Sequence, residues 1–140
     1  MSHFLTYVKH SYEVILEAEN KLCINLEHDT EAYIVHLFAR YLDNPNINSD
    51  PVCIKIMQGS ILPATQKKVM LQAAADECLL INGLELAKSR WPTNNYYKEM
   101  GVLAYDQIAY TERPPDDFYI HLAENFNLLS RVLSKCKINT

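Results

Sequence analysis

His36 and Arg40 stand four residues apart, and Glu77 and Cys78 are adjacent. If the fold brings these four together, one cavity holds an imidazole, a guanidinium, a carboxylate and a thiol. Arg40 with His36 would bind an anion, and His36 would make that contact pH-dependent because an ordinary imidazole titrates near neutrality. His36 and Arg40 lie in HDTEAYIVHLFARYLDNP, residues 28–45, which also supplies His28 and Glu31. On a helix His28 and Glu31 approach the same side, whereas His36 is eight residues on and turned away by about 80°. The three do not make a metal set by themselves. Further donors, such as Glu77 or Cys78, would have to come from elsewhere in the fold. Each group also has a plainer structural role: His36 packing against tyrosine rings, Arg40 laying its stem along apolar surface, and Cys78 simply buried.

The stretch ADECLLING sets two carboxylates inside an apolar run. Asp76 and Glu77 diverge by about 100° on a helix, so only one can face the interior squarely. Glu77 aligns with Ala73, Ala74, Ile81 and Leu84, and Asp76 shares a flank with Leu80. An inward Glu77 needs a partner, for which Arg40, Lys98, a tyrosine hydroxyl or a helix N-terminus would serve. A paired structural carboxylate is preferred here over a catalytic base. Cys78 has no spacing to a histidine and no third group to orient one, so Cys-His catalysis is disfavoured. The chain contains no HExxH, paired CxxC, EF-hand, GxSxG, P-loop or dinucleotide-glycine pattern. No catalytic residue, cofactor or metal is expected.

The elements that must position these groups read as helices. Phe4, Tyr7, Val8, Tyr12, Ile15 and Leu16 recur at three- and four-residue steps, ending near Glu19-Asn20. LCINLEHD follows as a connector that inserts Leu22, Ile24 and Leu26 into the core. Asp29 or Thr30 is the expected cap of the next helix, with Asn44-Pro45 among its stop signals. Pro51 is suited to open a short helix, PVCIKIMQG, that ends near Gly59. From Pro63 a long alanine-rich helix has Val69, Met70, Ala73, Ala74, Glu77, Leu80, Ile81 and Leu84 as its inward sector. Trp91-Pro92 separates it from a helix carrying Tyr97, Met100, Val102, Leu103, Tyr105 and Ile108, with Thr93 or Asn94 as cap. Pro114-Pro115 precedes a C-terminal helix with Phe118, Tyr119, Leu122, Phe126, Leu129 and Val132. The expected fold is all-α: one compact, bundle-like domain over residues 1–140, with four substantial helices and one or two short ones.

Composition supports one globule. The chain has 140 residues, 49% hydrophobic and 21% charged, with only three glycines. Seventeen acidic against thirteen basic residues give a formal charge of −4, and Lys67-Lys68 is the only adjacent basic pair. Without a basic stripe, nucleic acid is a disfavoured partner. No apolar run approaches the roughly 18–20 residues of a membrane span, and no secretory leader opens the chain, so a cytoplasmic location is expected. Cys23, Cys53, Cys78 and Cys136 are widely spaced, and reduced, partly buried thiols suit a chain of this size.

HDTEAYIVHLFARYLDNP together with ADECLLINGL, residues 75–84, resembles a family of small, uncharacterised bacterial proteins. The similarity continues through Tyr96-Tyr97 and Gly101 to Tyr105, covering about the central half of the chain. Asp76, Cys78, Leu79 and Leu80 lie in its most recognisable block, while Ala75 and Glu77 depart from the glycine and glutamine usual there. The resemblance implies a bacterial, cytoplasmic helical protein, and it brings no reaction with it.

Nine tyrosines against four phenylalanines favour surfaces that pack a ring and leave its hydroxyl wet. The expected function is therefore a noncatalytic protein-interaction or regulatory module. It would self-associate as a homodimer or bind a protein partner, with Tyr33, Tyr41, Tyr97 and Tyr105 as interface candidates. The alternative is a small-molecule binder or metal-dependent enzyme built on His36, Arg40, Glu77 and Cys78.

Overall fold

The three- and four-residue returns of apolar side chains become helices wherever they occur. A computed structural model describes residues 2–45, 52–86 and 94–136. Its elements are α1 (Ser2–Leu22), α2 (His28–Asp43), α3 (Val52–Ser60), α4 (Ala64–Leu84), α5 (Asn94–Ala109), α6 (Asp117–Glu124) and α7 (Phe126–Lys135), and no strand occurs among the described residues. The all-α bundle is the one expected, with four long helices. The short ones number three because the C-terminal stretch divides at Asn125. There the Asn125 amide competes for the His121 carbonyl, donating to it at 2.9 Å, and the helix restarts at Phe126.

α4 is the axle. Leu71, Ala74, Ala75, Cys78 and Leu79 are fully buried along it, and it packs on α5, α3 and α7. α5 also packs on α6, while α1 joins α2 to α7. α4 runs unbroken through Gly83, where a Cβ would stand 2.7 Å from that of Leu133, so the missing side chain sets how closely α7 approaches. The α2 and α4 backbones keep more distance, and side chains bridge the seam between them.

α1 ends in a Schellman turn. Ile24 N–H donates to Glu19 O at 3.0 Å and Cys23 N–H to Asn20 O at 3.2 Å, with Cys23 at φ 57°. A left-handed conformation is costly for a side chain with a Cβ. Cys23→Gly is therefore expected to raise stability by about 0.5 kcal/mol, measured by urea unfolding. The connector sinks Leu22, Ile24 and Leu26 against the core, as their alternation suggests.

Two expectations are corrected here. α2 begins at His28 with Glu27 as N-cap and no capping side chain, so neither Asp29 nor Thr30 caps it; Thr30 is buried in the first turn. The buried sector of α4 is also rotated from the expected one: Val69 is 66% exposed and Ala73 is exposed, while Leu71, Ala75 and Cys78 are inside. Helices on several sides of α4 bury a band that its own periodicity does not single out. The expected roles of Pro51, Trp91-Pro92 and Thr93 fall outside the described residues. No helix among the described residues is long and apolar enough to cross a membrane.

Candidate functional site

Of the two adjacent carboxylates, Asp76 is the one inside, with only 5% of its surface exposed. Glu77 was expected there. It turns instead toward α3, where Lys55 Nζ meets its Oε2 at 2.7 Å. The α2–α4 seam decides the outcome, because it brings α2 and α5 phenols to Asp76. Tyr33 and Tyr105 both donate to Asp76 Oδ1, Tyr105 at 2.8 Å, and Arg40 reaches Oδ2 at 3.4 Å. Gln72 Nε2 donates to the Tyr33 hydroxyl at 3.3 Å, and the Tyr119 hydroxyl donates to Gln72 Oε1 at 3.4 Å. The Tyr33 ring packs edge-on to Phe118, and Lys68 stands 5.3 Å from the Tyr119 ring centroid. One carboxylate thus ties α2, α4 and α5 together, with α6 joined through Gln72.

Burial pushes the Asp76 carboxyl up, opposed by the Tyr33 and Tyr105 hydroxyls and the Arg40 guanidinium. Burial likewise raises both phenols, and the Asp76 charge raises them further, so they remain protonated donors. Arg40 is the outer member. Its side chain is 53% exposed, so the ion pair adds little energy by itself, but it orients the guanidinium.

Arg40 is also the wall common to two grooves. One, of about 570 Å³, runs along α2 past Asp29, Ala32, Tyr33 and His36, with Phe4 and Phe118 opposite. The other, of about 340 Å³, lies between Leu37 and Tyr41 on α2 and Ala73, Asp76 and Leu80 on α4. The structure therefore brings His36 and Arg40 together on one groove and leaves Glu77 and Cys78 out of it. The His36 ring is exposed, with Nδ1 2.9 Å from Ala32 O, which directs Nε2 outward. The Cys78 thiol is fully buried and pushed up to about 12 by burial, with Glu77 adding to the rise. A thiol held protonated is a poor nucleophile.

The four tyrosines also divide. Tyr105 has no exposed surface and stacks on Tyr119, so it is core and offers nothing to a partner. Tyr33 is half-buried as the floor of the larger groove, and Tyr41 lines the smaller one while stacking on Phe38. Tyr97 is half-buried, edge-on to Tyr96 and away from both grooves. Sequence reasoning missed Asp76 as the pivot, and Gln72 and Tyr119 as its outer partners. The signal available was the surplus of tyrosine, since a buried phenol needs an acceptor.

Glu77→Gln should leave the seam untouched. The amide keeps an acceptor for Lys55 and loses only the charge of the pair. The expected cost is about 1–3 kcal/mol in urea unfolding, because both side chains are mostly buried, with α2 backbone resonances unmoved. A larger loss, or shifts along α2, would show that Glu77 and the seam are coupled.

Among the described residues, no three or more His, Cys, Asp or Glu side chains are grouped to hold a metal ion. Asp76 lines the smaller groove and pairs with Arg40, and Arg40 borders both grooves. The chain matches no protein-family model, and no curated protein or solved structure is significantly similar to it.

Proposed function

We propose that this chain is a noncatalytic interaction module that self-associates through the exposed stripe of α2, in the bacterial cytoplasm that the sequence resemblance implies. The observation that supports it most is the charge order along that stripe. Asp29, Ala32, His36 and Arg40 are all exposed. Asp29 and Arg40, eleven residues apart, lie about 16 Å apart along the helix and within about 20° around it. A second copy laid antiparallel sets each Asp29 opposite the partner's Arg40, with His36 of each copy near the two-fold axis. A surface complementary to itself in this way builds a closed two-fold dimer.

Mixing charge variants tests this reading. Asp29→Arg alone and Arg40→Asp alone each place like charges across the two-fold axis, and both should sediment as monomers. Mixed in equal amounts, they restore both pairings and should form a heterodimer. A mixture that stays monomeric, beside a dimeric parent, would move the contact to another surface; a monomeric parent would remove self-association. The larger groove favours a second reading, an anionic small molecule held by Arg40 and His36, since about 570 Å³ is the size of a ligand pocket. Native mass spectrometry of freshly purified protein separates the two, because a discrete copurified mass belongs only to the ligand reading.

A further inference from the structure

The smaller groove carries a chemistry that the exposed stripe of α2 does not use. Two registers build it: Leu37, Tyr41 and Asn44 step by four and three residues along α2, and Ala73, Asp76 and Leu80 step by three and four along α4. Leu37 and Leu80 are 2% and 5% exposed and give it an apolar floor. Ala73 is exposed on its rim and too small to fill the space. Asp76 lies between these apolar groups, and its two carboxylate oxygens are unequally served. Oδ1 accepts from both Tyr33 and Tyr105. Among the described residues, Oδ2 accepts only from Arg40 Nη2 at 3.4 Å, which is long beside the roughly 2.7–2.9 Å of a charge-assisted bond. An ionised carboxylate oxygen can accept about two hydrogen bonds, so Oδ2 has acceptor capacity to spare. Burial holds the Asp76 carboxyl above its ordinary range in spite of both phenols and Arg40, so the group still lacks positive charge.

We propose that this groove binds a free α-amino acid with an apolar side chain. The ligand ammonium donates to Asp76 Oδ2. The half-exposed Arg40 guanidinium turns from Oδ2 onto the ligand carboxylate, and the ligand side chain lies over Leu37 and Leu80 beside the Tyr41 ring. Each charge of the ion pair then meets its opposite on a ligand that carries both charges on one carbon. Simpler ligands match less of the site. A carboxylate alone would face Asp76 and the exposed Asp43 at the end of α2, and an amine alone would take Oδ2 and leave Arg40 without a carboxylate. A metal ion would need more donors than these two acids, and no such group stands among the described residues. A volume of about 340 Å³ is at the small end of ligand pockets and suits a molecule of amino-acid size. The site is complete within one copy and does not rest on the pairing of α2 stripes.

The test is an amide-detected NMR titration with L-leucine, beside isocaproate, which lacks the ammonium, and isoamylamine, which lacks the carboxylate. A ligand this small in an open groove should bind with a Kd of about 0.1–1 mM, and so be lost on purification. Leucine is expected to shift the Leu37, Ala73 and Leu80 amides, with each analogue at least about tenfold weaker. Ala73→Leu, at an exposed helical position, fills the groove without disturbing the core and should abolish the shifts. Arg40→Met should weaken leucine about tenfold and leave isoamylamine no weaker, a split that a merely structural Arg40 would not produce. The site would be overturned by the absence of leucine shifts at about 10 mM, or by an analogue that binds as tightly as leucine. Leucine binding retained in Ala73→Leu, or an Arg40→Met that weakens both ligands alike, would overturn it equally.

Discussion

Asp76→Ala is expected to cost about 3–5 kcal/mol, read as a lowered urea midpoint with the slope unchanged. The carboxylate is 5% exposed, and its Oδ1 is the acceptor for both Tyr33 and Tyr105. Alanine leaves two phenolic hydroxyls in apolar surroundings with their acceptor gone, and each carries the desolvation penalty of an unmade hydrogen bond. Arg40 matters less, because its half-exposed guanidinium can turn to water. Tyr105→Phe in the Asp76→Ala background should then cost much less than Tyr105→Phe alone, since the hydroxyl has already lost its acceptor. A cost below about 1 kcal/mol for Asp76→Ala would mean that water replaces the carboxylate and that the network does not organise the seam.

The second large effect comes from one added methyl group. A Cβ at Gly101 would lie 2.4 Å from Phe126 Cε2, 2.7 Å from its Cζ and 3.0 Å from Cys78 Cβ. Phe126 is 1% exposed and packs against Tyr105, so its ring has nowhere to retreat. Gly101→Ala is expected to lose about 1–3 kcal/mol to overpacking, even after the gain in helix propensity. Gly59→Ala is the control of opposite sign. There a Cβ would meet Leu71 and Met70 at ordinary contact distances of 3.4–3.5 Å, leaving the propensity gain of about 0.5–1 kcal/mol. Thermal unfolding of the two variants side by side should move Tm in opposite directions. Similar shifts for both would show that α5 can slide on α4 and relieve the crowding.

The amino-acid pattern by itself determined the helical class and the four long helices, because apolar returns at three and four residues are local and need no partner to be read. It also placed His36 and Arg40 on one face of one helix, a relation held within a single element. What crosses between elements was decided by the tertiary structure alone. Asp76 and Glu77 differ by about 100° on α4, and either could have been the inner acid. The phenols of Tyr33 and Tyr105, from two other helices, chose Asp76, while Lys55 took Glu77 outward. Cys78 followed its buried neighbours Ala74 and Ala75 inside, away from the groove beside Arg40. Glu19, which the pattern marks only as the end of α1, is buried for the same reason: α2 packs against α1 and the connector folds back onto its carboxylate through the Leu26 N–H. Periodicity reports which face a helix turns inward when it has one neighbour. α4 has several, so the roles of its polar residues were settled only when the surrounding helices arrived.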